Sequence, residues 1–97
     1  MPPTQSSHLQ VAPMQIAEET ITHANASRLL ELGVAAIQSG DTLIDLSHVQ
    51  RCDSSAVALL LAWRREAKTR AVALKFTGVP ADLGSLASLY GVDELIA

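Results

Sequence analysis

A chain of 97 residues with seven Lys and Arg, ten Asp and Glu and a net charge of −3 has room for one compact domain, and it lacks the large basic surface that nucleic-acid phosphates demand. Apolar residues make up 48% of it, yet it holds only one Trp, one Tyr and one Phe, so the core must be built from Leu, Ile, Val and Ala. Cys52 stands alone, which excludes an internal disulfide and with it a secreted, disulfide-stapled design, and points to a reducing compartment.

The opening MPPTQSSHLQVAPMQI has no basic region followed by an apolar core, so no signal peptide is expected, and no apolar run approaches the length of a membrane span. A cytoplasmic location follows, with any membrane role exerted through a partner. Residues 1–8, rich in Pro, Ser, Thr and Gln, read as a mobile tail, and 9–97 as a single domain. Leu9 to Ile16 predicts a short strand, kept to a sheet edge by Pro13. From about Asn25, the residues Ala26, Leu29, Leu30, Gly33 and Ile37 recur at helical spacing, and Gly40 supplies a left-handed stop. Gly33 lies within the apolar face and allows close packing against the sheet. Thr42 to Leu46 is too short for a helix and lacks polar alternation, so it predicts a buried strand.

A polar loop, Ser47 to Ser55, then leads into a second helix that starts near Ser54 and is capped by Asp53 or Ser54. At about 100° per residue, Ala56, Leu59, Leu60, Trp63 and Ala67 fall on one side, which should pack onto the sheet. Ser54, Val57 and Leu61 share the opposite side with the basic Arg64, Arg65 and Lys68. Val57 and Leu61 should therefore stay uncovered in a monomer, and the stripe reads as a docking surface with a basic border. Val72 to Phe76 predicts another strand, Gly78 to Pro80 a turn, and Leu83, Leu86, Ala87 and Tyr90 one side of a third helix. The alternating order implies α/β architecture with parallel neighbours, and places the Ser47 to Ser55 loop at the working edge of the sheet.

The residues Ile44-Asp45-Leu46-Ser47, Asp53-Ser54-Ser55-Ala56 and Ala58-Leu59-Leu60-Leu61 resemble the STAS domain family, which includes anti-sigma factor antagonists and the cytoplasmic domains of sulfate transporters. Together with Leu86-Ala87-Ser88-Leu89-Tyr90-Gly91-Val92 they look most like the MlaB type, the small STAS subunit of Mla phospholipid-transport ABC systems. The resemblance covers the chain from about Leu9 onward. It implies a STAS-like fold: a mixed sheet of about four strands with three to four helices mostly on one side. It also implies a partner, the ABC-transporter ATPase subunit, contacted at the hydroxyl directly after the aspartate, here Ser54. In the antagonists the second residue after the aspartate, here Ser55, is phosphorylated by an anti-sigma factor kinase, so a regulatory antagonist is the alternative. Glycine would be expected at position 55 in some MlaB proteins and usually follows the serine pair in antagonists, where this chain has Ala56.

No catalytic or cofactor chemistry is expected beside this. His8, His23 and His48 lack metal-ligand spacing, Asp41 and Asp45 bracket a strand without converging, and the five glycines form no phosphate loop. Asp45 and Asp53 invite comparison with receiver domains, but the paired acids and the lysine of such a site have no counterpart. Cys52 has no triad to join and reads as a small residue near a strand end. The chain reads as a binding protein, not an enzyme.

Overall fold

A computed structural model describes residues 14–96. The expected tail and the start of the first predicted strand lie outside the described residues. The strands are β1 (Met14–Gln15), β2 (Thr20–Ile21), β3 (Leu43–Asp45), β4 (Arg51–Cys52) and β5 (Lys75–Thr77). The α-helices are α1 (Ala26–Gln38), α2 (Ser54–Thr69) and α3 (Ala81–Leu89), followed by a 3-10 turn at Asp93–Leu95.

The strands form a sheet in the order β1-β3-β5 and a separate pair β2-β4, and every pairing among the described residues is parallel. The arrangement is STAS-like α/β, although antiparallel pairing, expected of a mixed sheet, is not seen among the described residues. β1 lies at a sheet edge, as Pro13 beside it implies. β3 is central but is not sealed on both faces: Ile44 and Leu46 are fully buried, while Leu43 and Asp45 are half-buried. The helices cover the Ile44 face, and the other stays partly open. The predicted polar loop after β3 contains β4, which pairs through Thr20↔Arg51 and Ile21↔Cys52.

Helices α1 and α2 are joined by an unusually close contact. A Cβ on Gly33 would lie 2.0 Å from Nε1 of Trp63, so only glycine admits the indole there. The expected partner of Gly33 was the sheet; the observed one is α2. Trp63 is fully buried and donates from Nε1 to the carbonyl of Leu30 at 3.2 Å, which leaves its polar atom satisfied. Leu29 and Ile37 from α1, Leu59, Leu60 and Ala67 from α2 and Leu83 from α3 complete the core with Ile16, Ile21 and Ile44.

All three α-helices among the described residues stop in the same way. The sixth residue of the closing turn donates back to the first and the fifth to the second: Asp41 to Ala36 and Gly40 to Ile37, Val72 to Ala67 and Ala71 to Lys68, Val92 to Ala87 and Gly91 to Ser88. This closure needs a left-handed residue, supplied by Gly40 (φ 97°), Ala71 (φ 57°) and Gly91 (φ 71°). Only Ala71 carries a side chain there, at a cost of about 1 kcal/mol.

Candidate partner-binding site

Asp53 and Ser54 begin the site. Asp53 Oδ1 accepts from the Ser55 backbone N–H at 2.8 Å, so Asp53 is the cap and Ser54 the first helical residue. That backbone bond is the main cause holding the Asp53 carboxyl below the usual aspartate range. His23 Nδ1 stands 3.9 Å from the other carboxylate oxygen. The two serines then diverge. Ser54 is exposed, whereas Ser55 is half-buried and lines a cleft between α1 and α2, of about 330 Å³, with His23, Ser27 and Leu30.

Ser54 opens onto a groove of about 460 Å³ whose other lining residues are Val57, Ala58, Leu61, Tyr90 and Val92. Leu61 is 37% exposed and Tyr90 55%, and the adjoining Leu89, at 76%, is the most exposed large apolar side chain among the described residues. The docking stripe therefore exists in part. Val57 departs from it: at 6% exposure it belongs to the core cluster, because the C-terminal turn packs Val92 and Ile96 against that cluster. Val57 forms the floor of the groove and is not an uncovered anchor.

Tyr90 also departs from expectation. Leu83 and Ala87 are fully buried, but α3 ends at Leu89, and Tyr90 is carried out of the helical face by the turn that Gly91 closes. Its ring faces the groove in place of the core. The signal was present in Tyr90-Gly91, since a left-handed glycine ends the helix and with it the angular register of the preceding residue.

The three basic residues do not form one border. Arg64 is half-buried; its guanidinium donates to the carbonyl of Leu74 and lies 4.9 Å from the ring centre of Phe76, so it braces α2 against β5. Arg65 is exposed on the side toward α1, beside Leu30, Val34 and Ala62. Lys68 is exposed and shares a different hollow with Arg64 and Lys75.

Other reactive groups remain apart from the groove. Burial pushes the half-buried Cys52 thiol up, with the negative charges of Asp82 and Asp53 adding to the effect, which opposes thiolate formation. Asp45 accepts from the Ser47 backbone N–H at 2.9 Å, the main cause of its lowered carboxyl, and from Gln15 at 3.1 Å. Among the described residues no three His, Cys, Asp or Glu side chains are placed to hold a metal, and no helix is long and apolar enough to cross a membrane.

The capped start of α2 thus opens on a groove lined by one serine hydroxyl and otherwise by apolar and aromatic residues. The family model described as "Mlab, STAS domain" matches residues 5–97. The chain belongs to the MlaB-type STAS domain family. No curated protein matches it. STAS domains are in general non-catalytic modules for protein interaction, so Ser54 and the groove beside it are the STAS domain's candidate surface for another protein.

Proposed function

We propose that this STAS domain is the non-catalytic cytoplasmic subunit that docks onto the ATPase of an Mla-type phospholipid-transport ABC complex and supports its assembly or activity. It reaches the membrane only through that complex. The observation that carries the reading is the groove in which exposed Leu61 and Tyr90 flank Ser54, the position at which the family resemblance puts the ATPase contact. Leu61 and Tyr90 are the apolar anchors, Ser54 is the polar contact between them and Val57 shapes the floor, while Arg65, on the side of α2 toward α1, and Lys68, in a different hollow, stand outside this contact. Binding that favours one ATPase conformation shifts its population and alters turnover without the STAS domain touching nucleotide.

Co-purification with the ATPase tests this. Ser54→Glu combined with Leu61→Asp places two carboxylates against a packed apolar contact and is expected to abolish the complex while the domain stays folded by circular dichroism. A folded double variant that still forms the complex at wild-type yield overturns the assignment of this surface.

A further inference from the structure

The groove beside Ser54 is uncharged within and acidic around its border. No charged residue lines it: α2 contributes Ser54, Val57, Ala58 and Leu61, and the turn after α3 contributes Tyr90 and Val92. Asp53 immediately precedes Ser54 and keeps 46% of its side chain exposed. Asp93 and Glu94 immediately follow Val92 and are exposed, as is Asp82 in the first turn of α3. Asp82 and Asp53 both act on the Cys52 thiol, so the acidic start of α3 lies near the capped start of α2.

Cations are kept away from this end. Lys and Arg are absent from residues 54–63 and from residues 76–97. Arg51, the nearest of them in sequence to Asp53, lines a separate hollow with Glu19, Thr20 and Gln50, and Arg64, Arg65 and Lys68 line other hollows of α2. His23, paired with Asp53, lines the cleft toward α1. Four of the ten Asp and Glu residues thus gather here with none of the seven Lys and Arg, while the other six are spread among all seven cations. The border expected to be basic is acidic. No strand lines the groove either, so a segment entering it finds no ladder partner and must satisfy its own backbone groups, as a helix does.

Resting on the docking reading above, we propose that the element filling the groove is a basic amphipathic helix of the ATPase. Its apolar side chains pack on Leu61 and Tyr90, with the exposed Leu89 extending that track, and its Lys or Arg side chains meet Asp53, Asp93 and Glu94. The apolar anchors hold the complex, while the acidic border speeds encounter and rejects acidic surfaces.

The probes are two fluorescein-labelled, helix-forming peptides with the same Leu stripe, one with Lys and the other with Glu on its polar face, followed by anisotropy with the full chain. The Lys peptide should bind saturably and more weakly as sodium chloride is raised, and the Glu peptide should not bind. Asp93→Lys with Glu94→Lys should lower affinity for the Lys peptide by about tenfold or more with an unchanged circular dichroism spectrum. Tyr90→Ala should also weaken it, whereas Glu31→Lys, on the exposed side of α1, should leave it within about twofold. No saturable binding, equal binding of the Glu peptide, wild-type affinity in the Asp93, Glu94 variant, or an equal loss in Glu31→Lys each overturns the proposal. Co-purification separates its failure from that of the docking reading. If Ser54→Glu with Leu61→Asp abolishes the ATPase complex while the Asp93, Glu94 variant retains it at wild-type yield, the groove stands and the basic helix falls. If the complex survives Ser54→Glu with Leu61→Asp but the Lys peptide behaves as expected, the ATPase assignment falls and the groove's preference for a basic helix stands.

Discussion

The two long sides of α2 are built to opposite tolerances. Toward α1, Trp63 occupies space that exists only because residue 33 has no side chain, its indole N–H is bonded to the Leu30 carbonyl, and nothing in the contact can shift without leaving a void or an unpaired donor. Toward the C-terminal turn, the same helix offers Ser54 and Leu61 to an open groove whose far wall is an exposed tyrosine. One face fixes where the helix lies; the other is free to differ in chemistry without unfolding the domain. A substitution on α2 should therefore announce its side by whether it costs stability or binding.

The largest expected effect is on the closed side. Gly33→Ala drives a methyl into Trp63 and should cost about 3 kcal/mol in urea unfolding. Trp63→Phe in that background removes the indole nitrogen from the clash and should restore part of the loss. No destabilisation by Gly33→Ala would break the contrast outright.

Asp53→Ala removes the cap at the boundary between the two sides and should lower the urea midpoint by less than Gly33→Ala does. Because the Asp53 carboxyl is lowered in the folded state, its contribution is present above the unfolded value, about pH 4, and is lost as pH falls through the lower folded value. The variant should show a flatter fall of stability with acid in that window. An acid limb identical to wild type would assign the acid loss to other carboxylates.

Ala71→Gly should stabilise by about 0.5 to 1 kcal/mol, raising the melting temperature, because the left-handed position no longer carries a Cβ. The smallest effect belongs to the open side: Leu61→Asp should change stability by no more than about 0.5 kcal/mol, since the side chain already meets water. A loss of several kcal/mol there would show that Leu61 serves the fold.

Much of this was legible in the chain. β3, the α2 start at Ser54, the stop at Gly40 and the packed set from Ala56 to Ala67 follow from periodicity, a cap and a left-handed glycine, all of which are local. β2 and β4 were not legible, because two-residue strands carry no period and Thr20 meets Arg51 only through tertiary pairing. Val57 was misjudged because it lies at the margin of the helix face, and what covers it arrives from the C-terminal turn. Arg64 looked like a solvated charge, but its long stem reaches over Phe76 to a backbone carbonyl. In the groove, Ser54 and Leu61 could be found by angular position on one helix. Tyr90 could not be found that way; its signal was Gly91, which ends α3 and takes the preceding residue out of the helical face.

The exclusively side-by-side orientation of the described strands has a kinetic consequence. With Met14 aligned to Ile44, and Ile44 to Phe76, no tight turn can zip any neighbouring pair, so each ribbon must wait for a whole intervening helix to be laid across it. During synthesis the centre of the sheet has no second flank until the Lys75 segment has left the ribosome. The nascent polypeptide should therefore depend on its last quarter to become resistant to protease, and should settle more slowly than an all-helical protein of equal size.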